Sequence, residues 1–361
     1  MTISKNENKP KILWFKISAI IFSLGQSLSN STCQTQGMKN ENNEIPKSPC
    51  CNWESKRHGE NQTCNGMRKR FRCCNCKKTF SEPADVAGLY ISTEKIAQVV
   101  QMLCEGVGIR AASRMTGLMT NTVTKILVAG GKKAQELLKN RVRGLTVKHV
   151  EIDEVYGFVG CLQSNTSGPE DFERGDQWAY IAVDGDTKMI LNVYVGKRAT
   201  FETRQFLSQL REKIEGRFQL TSDGYQGYVH HNGVKLVFGN GIDYATEVKT
   251  YRLKDPTAAR HRNPVVCNSV QRVARIGDPD MSVVTTNHAE RCNLSVRLFN
   301  RRFTRKTMGF SRRLDNHTYS VVLQAAHFNF CRVHSSLKKT PAMAAGLTDH
   351  VWTARELLTC K

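Results

Sequence analysis

The stretch "KHVEIDEVYGFVGCL", residues 148–162, marks a change of period along the chain. Upstream, apolar residues recur at helical spacing; from Val147 onward they alternate, as expected of a β-strand. Two adjacent acids, Asp153 and Glu154, sit inside that strand. Successive strand residues face opposite sides of a sheet, so the pattern admits one of the pair to a shared site and leaves open which.

Downstream, "QSNTSGPEDFERGDQ" reads as a loop. "WAYIAVD" and "KMILNVYVG" read as a hairpin around "GDT", with Asp184 and Asp186 as turn residues. "TFETRQFLSQLREKIEG" has the spacing of an amphipathic helix, and "RFQLTSDGY" reads as a fourth strand ending in Asp223. The order β, β, β, α, β, followed by helices, predicts an α/β domain in which acids of the first and fourth strands meet. It is also the order of the ribonuclease H-like fold.

Residues 285–313, "TTNHAERCNLSVRLFNRRFTRKTMGFSRR", carry Glu290 and then eight Lys or Arg residues with no further acid. On one continuous helix, Asn293, Arg297 and Arg301 follow Glu290 at offsets of 3, 7 and 11 and share its face, while Leu294 and Leu298 pack inward. Guanidiniums at successive turns suit a phosphate backbone and give affinity without sequence information. Taken singly, Asp223 in an Asp-Gly pair reads as a turn residue and Glu290 as a partner of the helix dipole. Taken with the acid of the first strand, they make three carboxylates on two strands and a helix. Such oxygen ligands suit Mg²⁺, and two such ions can activate an attacking hydroxyl and stabilise the leaving oxygen of a phosphoryl transfer.

Upstream of the sheet, Ile96, Val99, Val100 and Leu103 recur at helical spacing until Gly106 and Gly108 break the pattern. "IRAASRMTG" turns at Gly117, and "TNTVTK" opens a third helix. Three short helices with a glycine turn before the third fit a helix-turn-helix, whose last helix would present Thr120, Asn121, Thr122 and Lys125 to a major groove; a small bundle without a DNA role fits as well. Further upstream, Cys73-x-x-Cys76 offers two thiolates to a tetrahedral zinc. Ser48 occupies the first position of an earlier Cys-Pro-x-Cys pattern, leaving Cys51 with Cys50 or Cys64 to complete the set. Either the ligands have shifted or the ribbon has lost its metal.

A formal charge of +21 over 361 residues favours polyanionic partners, nucleic acid ahead of anionic membrane surfaces. Seven of the 13 cysteines fall between Cys33 and Cys76, a clustering that reads as metal binding in a reducing compartment. The apolar core of "KILWFKISAIIFSLGQSLS" is far shorter than the ~20 residues a membrane span needs. Residues 1–45 are left unassigned, as a disordered or non-native extension.

With these motifs in hand, the chain resembles the DDE transposases of bacterial insertion sequences, of the insertion-sequence-one type, over roughly residues 48–358. "RFRCCNCKKTF" is similar to the end of that family's zinc ribbon, "IDEVYGFV" and "SDGYQGY" to the strands bearing its two aspartates, and "ERCNLSVRLFNRRFTRKTMGFSRR" to its glutamate helix. "HFNFCRVHSSLKKTPAMAAGLTDHVW" is similar to its C-terminal segment. The resemblance implies a ribonuclease H-like catalytic domain at 146–335, preceded by a zinc-ribbon segment at 46–84 and a helix-turn-helix at 85–145, and followed by a tail at 336–361. It selects Asp153 over Glu154 and makes Asp153, Asp223 and Glu290 a triad holding two Mg²⁺ ions, with Mn²⁺ able to substitute. It implies binding of double-stranded DNA at terminal inverted repeats, through Arg302 and Arg305 as well as the residues above, followed by cleavage and strand transfer. A homo-oligomer of at least two copies, working in the bacterial cytoplasm at the nucleoid and without a membrane partner, completes the expectation. A catalytically inactive DNA-binding derivative is the alternative.

Overall fold

The strand that holds Asp153 is the third element class met along the chain, after a small sheet and three helices. The small sheet comprises β1 (Ser55–Thr63), β2 (Gly66–Cys73) and β3 (Thr79–Ser81), paired antiparallel in that order. The helices are α1 (Thr93–Cys104), α2 (Ile109–Thr116) and α3 (Thr120–Arg141). The main sheet follows with β4 (His149–Val159), β5 (Gly175–Asp184) and β6 (Ile190–Gly196), then α4 (Thr200–Arg211) and β7 (Gln219–Ser222). Short helices α5 (Gln226–Val229) and α6 (Val234–Phe238) lead to β8 (Asp243–Leu253) and β9 (Val265–Ile276). The last helices are α7 (Asn287–Phe299), α8 (Leu314–Phe330), α9 (Pro341–Ala344) and α10 (Ala354–Thr359).

This computed structural model describes residues 45–63, 66–81, 89, 91–168, 171–230, 233–253 and 265–360, which from Lys47 onward belong to one unit. The extension at 1–44 and the alternative zinc ligand Cys64 lie outside the described residues.

The main sheet has six strands in the order β6-β5-β4-β7-β8-β9. β4, β7 and β8 run parallel and the other neighbours antiparallel, a mixed α/β arrangement consistent with the ribonuclease H-like fold. The expected hairpin is β5–β6, and Asp184 does close its turn: its carboxylate accepts from Asp186 N (3.2 Å) and Thr187 N (3.2 Å). Helices do follow the fourth strand, as α5 and α6, but they lead to two further strands, β8 and β9, that were not expected. β8 pairs with β7 only over Asp243–Thr246 and continues beside β9 alone. Most of β9 is exposed, so its sequence carries charges where a buried strand would alternate.

Burial on both faces of β4 and β5 fixes the layers. Tyr180 stacks on Phe206 of α4 at 5.5 Å, while its neighbour Ile181 faces Cys292 and Val296 of α7 and Val321 of α8. Each such fully buried side chain contributes about 1.5–3 kcal/mol. α3 packs across α8 so closely that a Cβ at Gly131 would lie 2.4 Å from that of Tyr319, which restricts this position to glycine. Val123, Ile126 and Leu127 therefore share one core with the sheet. So do Leu357 and Leu358 in the expected tail, where Trp352 also packs on Phe330 at 4.8 Å. No helix among the described residues is long and apolar enough to cross a membrane.

Candidate active site

The last rung between parallel strands β4 and β7 is Ile152 with Ser222, so Asp153 and Asp223 each stand one residue past it. Carboxylate oxygens of Asp153, Glu154 and Asp223 all lie within 4.8 Å of one another. Asp153 faces α7: its Oδ2 accepts from Asn293 Nδ2 (2.7 Å) and its Oδ1 from the Glu154 N–H (2.8 Å). Glu154 leans to the other face, where Arg198 Nη2 reaches its Oε2 at 3.1 Å and Asp223 Oδ2 at 3.8 Å. The Arg198 guanidinium is stacked over Tyr225 (4.0 Å) and Trp178 (4.8 Å). The exclusion of one member of the Asp153–Glu154 pair is thus corrected. Strand alternation still separates them, but β7 stops at Ser222, and past its end Asp223 can be approached from both faces.

Burial is the main reason that Asp153 is pushed up to about 6; Asp223 and Glu290 add to it, while the Glu154 N–H and Arg297 oppose it. Burial likewise pushes Glu154 up to about 7, against the attraction of Arg198. A carboxyl raised in the folded state binds its proton more tightly there than in the unfolded chain. Its contribution to the metal-free protein is therefore greatest at low pH and is lost as pH rises from the ordinary carboxylate range through the folded value. Urea unfolding in EDTA is expected to show Glu154→Gln gaining on the wild type by a few kcal/mol between about pH 4 and pH 7, at roughly 1.4 kcal/mol per pH unit. A difference that stays flat across that window contradicts the assignment.

α7 is fastened over these acids by another residue of β4. Glu151, two positions before Asp153 and on the same strand face, is buried under the helix N-terminus. Its Oε2 accepts from His288 N (2.7 Å) and Ala289 N (3.0 Å), and its Oε1 lies 2.5 Å from His288 Nδ1. Thr286, the residue before the helix, makes no side-chain cap of its own, so a strand carboxylate supplies the cap and meets the positive end of the helix dipole. Glu151→Ala is expected to cost about 2–3 kcal/mol in urea unfolding; a loss under about 0.5 kcal/mol contradicts the cap.

The overhang of β8 past β7 brings two further charges to α7. Glu247 accepts from Thr286 N (3.1 Å) and pairs with Arg272 (3.2 Å) and Lys249 (3.3 Å). Lys249 Nζ then bonds Glu290 Oε1 at 2.8 Å, and Thr286 Oγ1 bonds the same oxygen at 3.0 Å. Glu290 is exposed and remains outside the three-acid group, although its charge still acts on Asp153. Glu154, Arg198, Glu151, Glu247 and Lys249 were not among the residues expected at the site. Glu151 carried a usable signal, being on the face of Asp153; Lys249 and Glu247 carried none, because β8 has no readable strand pattern.

Several expected DNA contacts fall elsewhere. Asn293 is buried and holds Asp153, so it positions that acid instead of facing a ligand. α7 ends at Phe299, and Arg301 begins a 3-10 turn, Arg301–Phe303, so the single arginine face is broken there. Leu294 and Leu298 do not pack inward: they are 42% and 61% exposed. Arg302 is half-buried, and burial holds its guanidinium down to about 10. Arg297 and Arg305 lie near each other, with Asp153 also acting on Arg297. Gly117 adopts a left-handed conformation (φ 71°) between α2 and α3, after which Thr120, Asn121 and Lys125 are exposed and Thr122 half-buried.

Near the small sheet, Sγ atoms of Cys50, Cys51, Cys73 and Cys76 lie within 4.8 Å of one another. Cys50 is 2.9 Å from Cys76, and Cys51 is 3.2 Å from Cys73. Zn–S bonds of about 2.3 Å make a tetrahedron with edges near 3.8 Å, so four thiolates this close fit zinc with a modest adjustment. Ser48 is buried with its Oγ 2.7 Å from Cys50 Sγ, a hydrogen-bonding neighbour of the sulfur cluster.

No protein-family model and no curated protein sequence matches the chain. Among solved structures, the Mos1 transposase paired-end complex with left transposon end is similar over 47% of this chain and 61% of that one, at 9% sequence identity and a TM-score of 0.20.

Proposed function

We propose that the chain is a DDE transposase of a bacterial insertion sequence, which binds the terminal inverted repeats of its element and carries out metal-dependent cleavage and strand transfer. The observation that supports this reading is the meeting of Asp153 and Asp223 at the ends of parallel neighbours β4 and β7, beneath a helix that carries Glu290. The donors are all carboxylate oxygens, and burial, with the Asp223 charge adding to it, raises the proton affinity of Asp153 and Glu154, which fits a hard divalent cation. Asp153 and Asp223 would hold Mg²⁺, with Glu154 in reach, and Glu290 would complete the set in place of its Lys249 contact, giving four acids for two ions. When bound, Mg²⁺ or Mn²⁺ supplies charge neutralisation and a polarised hydroxyl for in-line phosphoryl transfer. Asn293 orients Asp153, and Arg297 and Arg305 receive the phosphate backbone beside it.

In this reading the segments 46–84, 85–145, 146–335 and 336–361 serve as zinc ribbon, helix-turn-helix, catalytic domain and C-terminal segment. Zinc is held by Cys50, Cys51, Cys73 and Cys76, and Thr120, Asn121, Thr122 and Lys125 face the repeat. Two ends are held together, so the working form is at least a dimer, at the nucleoid. The Lys249–Glu290 bond favours one alternative, an inactive DNA-binding derivative whose third acid is permanently neutralised. Both are tested with a supercoiled plasmid carrying the gene and its flanking DNA. With Mg²⁺ the transposase is expected to nick at the gene's borders and join the ends, whereas the inactive derivative protects the borders without cutting.

A further inference from the structure

On the side of the catalytic unit where α2 and the start of α3 face the turn after α7, a recess of about 940 Å³ opens. Its wall carries Arg110, Arg114, Arg301, Arg302 and Arg312 and no acidic residue. None of these five guanidiniums makes an ion pair or side-chain hydrogen bond among the described residues. Arg302 is the telling one. It is half-buried and burial holds its guanidinium down to about 10, while its buried neighbour His317, held down to about 3, adds no second positive charge beside it. A half-buried guanidinium without a counter-charge attracts an anion more strongly than a fully solvated one does.

The rest of the recess narrows the kind of anion. Met115 (63% exposed) and Met308 (85% exposed) offer apolar surface with Phe310 between the basic groups. The recess adjoins a second one that shares Thr124 and Asn316 and carries Lys125 and Lys132 of α3 and Arg313 before α8, its one acid, Glu136, being paired with Lys133 at 3.1 Å. Positive charge running on past the first recess suits a chain of phosphates more than a compact anion. A volume within the range of small-ligand pockets takes a few unpaired nucleotides and not the width of a duplex. At its edge the backbone of Gly106, at φ +84°, comes so near α7 that a Cβ would lie 2.8 Å from the Leu298 carbonyl oxygen.

We infer that this groove binds a single nucleic-acid strand, with Arg302 and the α2 arginines on its phosphates and unpaired bases against Met115, Met308 and Phe310. The inference stands on the groove and is independent of the acids.

The test is fluorescence anisotropy of the full chain with a 5′-labelled oligothymidine of about 15 nucleotides, in EDTA, across a salt series. Arg110→Gln with Arg114→Gln, both exposed and outside the acid site, is expected to weaken binding at least about ten-fold and to flatten the log–log salt slope by about 0.7 per lost phosphate contact. Arg302→Met is expected to weaken binding while leaving thermal stability close to that of the wild type, since no ion pair or side-chain hydrogen bond of Arg302 among the described residues is lost. Unchanged affinity in both variants overturns the inference. So does equal competition by a duplex of the same length, which assigns the groove to double strands, or by tripolyphosphate at equal phosphate concentration, which makes it a compact-anion site. Asp223→Asn is expected to bind the oligothymidine as the wild type does, so loss of the transposase reading alone leaves this result untouched.

Discussion

Asp223→Asn is expected to lower Mg²⁺-dependent cleavage by at least about a thousand-fold while duplex affinity changes by less than about two-fold. Asp223 has few structural duties: one oxygen accepts from the Tyr225 N–H (2.9 Å), which an asparagine side-chain oxygen can also do, and the other approaches Arg198 at 3.8 Å. The substitution therefore removes charge from the acid group with little disturbance of the fold. It also relieves repulsion on Asp153 and Glu154, whose raised proton affinity owes part of its size to Asp223. The metal-free variant should be at least as stable as the wild type, so inactivity cannot be ascribed to unfolding. Asp186→Asn, an exposed turn acid between β5 and β6, is the matched control and should leave cleavage unchanged. Equal cleavage by wild type and Asp223→Asn removes this acid from the chemistry.

One zinc ion per chain is the second large expectation, and its removal should unfold the small sheet while the main sheet stays intact. Among its described residues β1–β3 bury little: Cys73 and Phe71 are covered, and Phe71 meets Phe80 at 5.7 Å. A three-stranded sheet with so small an apolar core depends on another source of stability, and structural zinc supplies about 10–16 kcal/mol at neutral pH in comparable small folds. Cys51→Ser and Cys73→Ser should lose the metal. Cys74→Ser should keep it, because Cys74 sits in the same turn but outside the four-sulfur group. Elemental analysis together with hydrogen exchange across residues 55–81, with and without a chelator, reads both effects. Full protection without metal contradicts the zinc assignment.

How far the site could be read from the sequence varied with the length scale of the interaction. The acids on β4 and β7 were legible because strand period and chain order fix which strand ends lie together. The pairing of four cysteines was half legible: Cys73-x-x-Cys76 is a local knuckle, whereas the choice of Cys50 is a contact across 26 residues. Glu290 was legible as the head of a basic run, but its bond to Lys249 was not, since the lysine lies on an overhanging strand whose face toward α7 carries the charged Glu247 and Lys249 where an apolar alternation would be read. The arginine row misled for a related reason. Offsets of 3, 7 and 11 assume an unbroken helix, and Asn300 ends α7 before Arg301 by turning its own side chain to the Arg302 N–H at 3.2 Å. Past that break Arg301 and Arg302 turn to the groove, while Arg297, still on α7, stays within reach of Asp153. Leu294 and Leu298 were misplaced by the same assumption of a simple two-faced helix, since the apolar contacts of α7 are made by Ala289, Cys292 and Val296.

The central claim, that Asp153, Asp223 and Glu290 form the centre of a DNA strand transferase, is met most directly by sequencing the joints formed in the plasmid reaction. Wild-type protein with Mg²⁺ should yield 3′ ends of the element joined to new target positions, flanked by a short duplication of constant length, and Asp153→Asn should yield none. Nicks without joints, or joints recovered equally from both proteins, contradict it.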